Sequence, residues 1–529
     1  MSIIIIMVAL ILFLCILAEN FSGQFGLPAL ILFMGIGMIF GSDGIFRIQF
    51  DNYDMTDKIC GIALGFIMFY GGFNTKWNVA KPVALKAITM STLGVAVTAA
   101  LTGGFCYVAL GFTFADSFLT GAVLSCTDAA SVFSVLRKKN VNLKDGTASL
   151  LEVESGSNDP MAYMLTIIGL ALKSGESMGN LAYVVFAQVV FGVIIGIGMA
   201  VMGLWLYKKT DIIPQGLDTI FMIALILMAY GLADIIGGNA FLSVYIMGIF
   251  LGNRNIKGKD VMIPFFDGIT GLAQIMIFFL LGLLAFPHKL PQVFVSSLLI
   301  TMFITVVARP VTVFILLKPL GCSIRQCAMV SWAGLRGASS IVFAIMAAVE
   351  GNDKLFHIVF MAALLSVSIQ GTFLPKIAYM IGMVDADCDV RKTFNDYKEE
   401  SAITMMRMYI PKGHNWENKY ISQVSMPTGS LALMIKRGED TIMPRGDTLI
   451  VAEDSVILSV PSFEPGEDDD LEEIFIDSKH KWCSRSIEEL KLPNDILIAL
   501  IKRKDNNLIP DGRTVIMEND IVVTYRNSV

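Results

Sequence analysis

A polytopic α-helical membrane domain followed by a soluble tail of two small α/β units is the fold class this sequence predicts. Three observations predict it. Only 16% of the 529 residues are charged, where soluble domains carry roughly a quarter. The deficit is uneven: residues 1–384 form long apolar runs with short polar gaps, and beyond them the chain turns charged and short-patterned. Within that later part, one unit occurs twice.

The apolar runs come first. A bilayer core about 30 Å thick needs roughly 20 helical residues to cross it. Thirteen runs are candidates: 3–20, 27–41, 58–74, 84–111, 117–137, 148–173, 180–207, 217–237, 239–253, 264–286, 291–318, 326–349 and 355–384. The first has no Lys or Arg before it, so it lacks the basic region of a signal peptide. It is read as a span.

Lys and Arg concentrate in the odd-numbered gaps. The third holds Lys76 and Lys81, and the fifth holds Arg137, Lys138, Lys139 and Lys144. Lys208 and Lys209 follow in the seventh, Arg254, Lys257 and Lys259 in the ninth, and Arg325 in the eleventh. The second gap is acidic, with Asp43, Asp51, Asp54 and Asp57. The positive-inside bias therefore places the odd gaps and the tail in the cytoplasm and the N-terminus outside. The expectation is a multi-pass protein of the cytoplasmic membrane, surrounded by lipid.

Composition also excludes. None of the eight cysteines forms a CxxC, and His288, His357, His414 and His480 are well separated, so no resident metal site is expected. A net charge of −6 without a basic stripe argues against nucleic acid. There is no Walker A motif and no nucleophile constellation. Neither an ATP-driven pump nor an enzyme is predicted.

Three runs carry ionisable groups, which are costly in a span and usually functional. The sixth reads Glu154-Ser155-Gly156-Ser157-Asn158-Asp159-Pro160. On a helix Glu154 and Asn158 share one face, and Ser155 and Asp159 the adjacent one. Pro160 deprives the carbonyl of Gly156 of its helical partner. The result is a cluster of oxygens, the ligand type that hard cations prefer. A desolvated carboxylate there takes a proton when the ion leaves.

The fifth run contains Ser125-Cys126-Thr127-Asp128. Thr and Asp favour local backbone bonding over helix continuation, which predicts a broken helix with its ends facing an ion. Asp128 either binds the ion or caps the half-helix. The twelfth run holds Gly334-Leu335-Arg336-Gly337. Its arginine must be paired or reach water, and Glu154 is the expected partner. A fixed positive charge is a poor cation ligand, so Arg336 is given a structural or gating role. The Asn158-Asp159 pair carries one carboxylate, which predicts electroneutral one-for-one exchange of a cation for a proton.

These segments resemble the sodium(potassium)/proton antiporters of the NhaP and cell-volume-regulation type, in order and spacing over residues 1–384. The resemblance implies an inverted-repeat antiporter fold, a homodimer, and a core domain moving against a dimer domain. It implies that Asp159, Asn158, Ser155 and Thr127 surround the ion, and that Glu154 pairs with Arg336. The sequence departs from the pattern at two positions. Ala129 stands where many members have proline, and Tyr70 stands where many have an acidic residue before Gly71-Gly72. Outside the three segments, Gln274 and Gln370 are candidates for hydrogen bonds between helices. Gly192, Gly196 and Gly198 favour close helix packing, and Asp234 reads as a helix-end residue.

The tail divides into a linker at 385–404, a first unit at 405–462, an acidic linker at 463–473 and a second unit at 474–529. The two units are offset by 66 residues: His414, Trp416, Pro427, Arg437, Pro444, Gly446 and Asp454 recur as His480, Trp482, Pro493, Arg503, Pro510, Gly512 and Asp520. Strands are predicted at Leu431–Ile435, Thr448–Val451 and Val456–Val460. In the second unit they fall at Ile496–Ile501, Thr514–Met517 and Ile521–Tyr525. Each unit resembles the TrkA-C (RCK_C) regulatory domain of potassium channels and transporters. That implies a small-ligand site at a dimer interface, for a nucleotide such as cyclic di-AMP. No GxGxxG lies between Val384 and Met405, so no NAD site and no other cofactor is expected.

The function predicted is secondary antiport of K⁺ or Na⁺ against H⁺, with the tail regulating it and favouring K⁺. A ligand-gated potassium channel is the first rival, but no TVGYG-type filter is present. An organic-anion symporter is the second, and the carboxylates at 128, 154 and 159 would repel its substrate. A membrane sensor without transport is the third.

Overall fold

The computed structural model of the protein describes residues 2–25, 28–139, 141–209, 214, 216–254, 256, 258–384, 403–424, 426, 430–437, 440–461, 471–476, 480–483, 485–490, 496–503, 506–508, 510, 514–518 and 520–526. Most of the linker expected at 385–404, residues 463–470 of the acidic stretch, and the repeat positions Pro427, Pro493 and Gly512 lie outside the described residues. The chain divides into two units, residues 1–397 and 398–529.

The first unit is helical. Its helices are α1 (Ser2–Phe25), α2 (Ala29–Phe40), α3 (Tyr53–Asn74), α4 (Ala84–Leu110), α5 (Phe114–Val123), α6 (Ala129–Lys138) and α7 (Thr147–Lys173). There follow α8 (Met178–Lys209), α9 (Asp218–Ile235), α10 (Ala240–Gly252), α11 (Lys259–Leu284), α12 (Pro287–Leu317), α13 (Ile324–Trp332), α14 (Ala338–Val349) and α15 (Asp353–Ile381). Among the described residues seven helices are long and apolar enough to cross a membrane, and α2, α10 and α14 are apolar but shorter. Helices α3 and α7 have the length, at 22 and 27 residues, and carry acidic groups within it.

Side-chain caps set several helix starts. Asn52, Thr113, Asn239, Ser323 and Asn352 each accept a backbone N–H from the first turn of α3, α5, α10, α13 and α15. Three helices contain a π-helical turn: Met90–Gly94 in α4, Ile304–Ala308 in α12 and Val367–Gly371 in α15. Such turns recur at functional sites.

Glycine lets particular helix pairs touch backbone to backbone, the packing that works between helices in lipid. A Cβ on Gly37 would lie 2.2 Å from the carbonyl oxygen of Phe279, and one on Gly282 2.2 Å from that of Met34, which locks α2 to α11. The α3–α10 pair is built the same way, with Gly72 against Tyr245 and Gly248 against Phe69, each at 2.4 Å. Gly192 and Gly196 seat α8 on α10, as expected. Gly198 faces open space, so its predicted packing role is withdrawn.

In the second unit, strands β1 (Ile403–Tyr409), β2 (Leu431–Arg437), β3 (Asp440–Ile442) and β4 (Ser455–Pro461) form an antiparallel sheet of order β1-β4-β2-β3. Strands β5 (Leu471–Phe475), β6 (Ile496–Arg503), β7 (Asn506–Leu508) and β8 (Ile521–Arg526) form a second of order β5-β8-β6-β7. The duplication extends to detail: the β2–β4 register shifts between Ala432 and Met434, and the β6–β8 register between Ile498 and Leu500. Strand β5 begins at Leu471, inside the stretch expected to be linker. Thr448–Val451 and Thr514–Met517 are not strands. Each makes one isolated bridge, Tyr420–Leu449 and Ser486–Val515.

One ion pair anchors each sheet. Arg437 donates from Nε and Nη2 to the two oxygens of Asp454, at 2.8 and 2.9 Å. Arg503 does the same to Asp520, at 2.8 and 2.7 Å. Burial pushes the Asp454 carboxyl up, but the guanidinium fork and the Val451 N–H outweigh it and hold it below the usual carboxylate range. Asp520 is held down in the same way by Arg503 and Met517.

An unfolded aspartate titrates near 4. The lowered folded value means that the pair stabilises the tail fully above about pH 4 and ceases to do so as the pH falls through it. Arg437 is 40% exposed, so its removal should cost less than breaking a fully buried pair. Arg437→Ala is expected to destabilise the first sheet by about 1–3 kcal/mol at neutral pH. Hydrogen exchange at Val456–Leu458 in the full-length protein reads this out. The gap from wild type should close below about pH 4.

Candidate functional site

Two helices break where the sequence is richest in small polar residues. Helix α5 stops at Val123 and α6 starts at Ala129; α13 stops at Trp332 and α14 starts at Ala338. The two intervening segments cross. The N–H of Asp128 donates to the carbonyl of Leu335 at 2.9 Å. At Gly337 a Cβ would stand 1.8 Å from Asp128 Oδ2, so only glycine fits there.

Broken helices leave unpaired carbonyls at one end and unpaired N–H groups at the other. Both are met by charge. Arg336 donates from Nη1 to the carbonyls of Ser125 and Cys126, at 3.1 and 2.5 Å, just beyond the C-terminus of α5. Asp128 accepts from the N–H and the hydroxyl of Ser131, at 3.2 and 2.6 Å, at the N-terminus of α6. The backbone N–H groups of Ala130 and Ala338 also face its carboxylate. Each charge has the sign its helix end favours.

Helix α7 docks on this crossing through its polar cluster. Ser155 donates to the Thr127 carbonyl at 2.8 Å and accepts the Ala129 N–H at 2.9 Å. Asn158 donates from Nδ2 to Thr127 Oγ1 at 2.7 Å. Asp159 accepts the hydroxyl of Ser339, from the first turn of α14, at 2.5 Å. Thr127, Glu154, Asn158 and Asp159 are all buried, and Ser155 is half-buried. Asp128 joins them through its neighbours, so Thr127, Asp128, Ser155, Asn158 and Asp159 come together at the crossing, while Glu154, one turn before Asn158 on α7, turns to Arg309. Pro160 sits inside a continuous helix, and its own carbonyl accepts from Asn239 Nδ2 at 2.7 Å.

The expected Glu154–Arg336 pair is corrected. Glu154 Oε1 is bound by Nη2 of Arg309, at 2.5 Å, and both side chains are almost fully buried. Arg336 is drawn instead to the carbonyl-rich end of α5. Gly334 makes room for Arg309: a Cβ there would lie 2.8 Å from its Nε. Sequence reasoning missed Arg309 and Ser339. Arg309 carried a usable signal, an arginine inside the eleventh apolar run. Ser339 carried none beyond its place after Gly337.

The Gln370 side chain reaches between helices as expected, its Nε2 donating to the Trp332 carbonyl at 3.5 Å, while Trp332 Nε1 donates to the backbone carbonyl of Gln370 at 3.1 Å; the two bonds tie α13 to α15. Tyr70 is buried and donates its hydroxyl to Asp267 of α11 at 3.0 Å.

What the cluster offers a ligand is set by its unused atoms. Among the described residues, Asp159 Oδ1, Asn158 Oδ1 and Glu154 Oε2 are buried with no hydrogen-bond partner. Unpaired buried oxygens are costly. Two of them, Asp159 Oδ1 and Asn158 Oδ1, are acceptors on adjacent residues of α7. That suits a dehydrated alkali cation, or a proton on the carboxylate.

Comparison with known proteins identifies the family and the fold. A family model described as sodium/hydrogen exchanger, transmembrane, matches residues 9–379. A TrkA-C domain model matches residues 471–523. The K(+)/H(+) antiporter NhaP2 of Shewanella baltica is 30% identical over 456 residues, covering 84% of this chain and 79% of that one. The K(+)/H(+) antiporter NhaP of Alkalimonas amylolytica is 29% identical over 462 residues, 86% and 80% of the two chains. The Na(+)/H(+) antiporter ApNhaP of Aphanothece halophytica is 22% identical over 411 residues, 72% and 74%. Among solved structures, the sodium proton antiporter MjNhaP1 of Methanocaldococcus jannaschii superposes with a TM-score of 0.63 at 22% identity, covering 72% of this chain and 99% of that one.

The Glu154–Arg309 contact carries a testable consequence. Removing one member of a buried pair strands the other, at a cost of about 3–5 kcal/mol. Glu154→Gln is expected to lower the melting temperature of the detergent-solubilised protein sharply. Glu154→Gln combined with Arg309→Met should recover part of the loss. Equal melting of the single variant and wild type would show that the pair is not structural.

Proposed function

The chain belongs to the sodium/hydrogen exchanger family, and from that premise we propose that it exchanges K⁺ for H⁺ one for one at Asp159. That it is a cation/proton antiporter of the cytoplasmic membrane follows from the family. The cation, the stoichiometry and the residues are our reading.

The observation that carries the site is the pair of unpartnered buried oxygens, Asp159 Oδ1 and Asn158 Oδ1. Thr127, Ser155 and the Asp128 segment add further oxygens beside them at the crossing. Charge balance supports the stoichiometry. Glu154 is answered by Arg309. Asp128 and Arg336 answer the helix ends and oppose one another in sign. Asp159 is the remaining charge, and one H⁺ or one K⁺ neutralises it. Potassium is favoured because the relatives at 29–30% identity are named K(+)/H(+) antiporters.

The same reading takes the membrane domain as thirteen spans in an inverted repeat. The matching α2–α11 and α3–α10 glycine contacts support the repeat, as does the presence of a π turn in both α4 and α12. It takes the protein as a homodimer, on family resemblance. It takes the tail as two TrkA-C units at 405–462 and 474–529, binding a small nucleotide such as cyclic di-AMP. The common strand order of the two sheets supports the pairing of units.

Everted vesicles test the core of this. Adding K⁺ should collapse an imposed proton gradient, and Asp159→Asn should abolish the response while the protein still inserts. A potential-sensitive dye should register no charge build-up during exchange. Full activity in Asp159→Asn would remove the site assignment. A membrane potential would remove the one-for-one stoichiometry alone.

A further inference from the structure

Asp267 lies in mid-helix in α11, yet its side chain is exposed. Among the described residues it takes part in no salt bridge, and its Oδ1 accepts the hydroxyl of Tyr70. A carboxylate at that depth must be paired or reach water. Thr270 and Gln274 follow it at three and seven residues, on the same helix face. Thr270 Oγ1 is a buried oxygen without a partner. This gives α11 a polar stripe in an otherwise apolar helix.

Depth and neighbours say where the stripe leads. Asp267 is eight residues from the start of α11 at Lys259, about 12 Å along the axis. Tyr70 is four residues from the end of α3 at Asn74, about 6 Å. Both of those helix ends face the cytoplasm by the Lys and Arg distribution. Asp159 is twelve residues, about 18 Å, from the cytoplasmic start of α7. The Tyr70–Asp267 contact is therefore shallower than Asp159 on the same side. Helices α3 and α11 both pack on α14, whose first turn carries the Ser339 that binds Asp159.

We propose that Asp267, positioned by Tyr70, is a cation-attracting carboxylate on the cytoplasmic approach to Asp159. An exposed carboxylate within a low-dielectric wall concentrates cations locally. The proposal rests on Asp159 as the exchange site, and its test separates the two. Loss at Asp159 removes exchange from either face, whereas loss at Asp267 weakens capture from one.

The experiment is K⁺-driven collapse of a proton gradient, measured as a function of K⁺ concentration. Everted vesicles present the cytoplasmic face, and right-side-out vesicles the other. Asp267→Asn is expected to raise the KM for K⁺ about 3- to 10-fold at the cytoplasmic face only, with the maximal rate falling less than twofold. Asp267→Glu should restore it, and Tyr70→Phe should shift KM in the same direction by a smaller factor. Asp267→Cys should react with a membrane-impermeant thiol reagent from the cytoplasmic face, above the background of the native thiols. An unchanged KM, an equal shift at both faces, or a thiol closed to the reagent would each overturn the proposal. Should Asp267→Asn fail to fold, Tyr70→Phe alone decides, and a KM like wild type's then rejects it.

Discussion

The membrane unit depends on one constraint: two helices that break inside an apolar layer must have their ends satisfied there. Lipid offers no water to the freed backbone groups. The crossing meets the need with one backbone hydrogen bond, Asp128 to Leu335, and two charges of opposite sign. Arg336 serves the carbonyls beyond α5, and Asp128 serves the N–H groups at the start of α6. Other features follow from this. Gly337 must be glycine because Asp128 occupies the space a Cβ would take. Ser155 is where it is because it bridges both sides of the break in the first segment. Once Ser155 is fixed, Asp159 lies one turn further along α7 and faces the start of α14.

Much of this was legible. The Thr127-Asp128 pair announces a helix break because both side chains compete for backbone groups. The oxygen cluster on α7 can be read from helical spacing alone. The ion-pair partner of Glu154 could not be. Spacing ranks the charges within a span but does not say which helix end each one meets, and Arg336 meets the end of α5. Arg309 also follows directly on the π turn at Ile304–Ala308. A wider turn inserts a residue and rotates everything after it by about 100°. A strict 3.6-residue reading of the eleventh run therefore places Arg309 on the wrong face. Ser339 was hidden for another reason: its partner is 180 residues away, and no local pattern encodes that.

The tail shows the same division between local and distant information. Its duplication is visible because identical chemistry recurs at a fixed offset. The hydrogen bonds of Arg437 with Asp454 reappear as those of Arg503 with Asp520. The segments Thr448–Val451 and Thr514–Met517 look like strands from their β-branched content. They are not, because their carbonyls are used elsewhere. Arg437 Nη2 takes the carbonyl of Leu449 at 2.9 Å, and Arg503 Nη2 that of Val515 at 2.7 Å. The arginine that anchors each buried aspartate thus also occupies a carbonyl that a ladder would need.

Coupling in the proposed exchange follows from how few acceptors are left over. Ser339 occupies Oδ2 of Asp159, which leaves Oδ1 as the open oxygen of that carboxylate. A proton on Oδ1 cancels the charge that attracts the cation. A cation seated between Oδ1 and Asn158 Oδ1 blocks the proton in turn. The carboxamide of Asn158 is fixed by its Nδ2, which donates to Thr127, leaving Oδ1 without a partner. The serine that closes Oδ2 comes from α14, the helix whose start is defined by the crossing. The geometry that satisfies the broken helices therefore also engages one of the two carboxylate oxygens of the proposed exchange site.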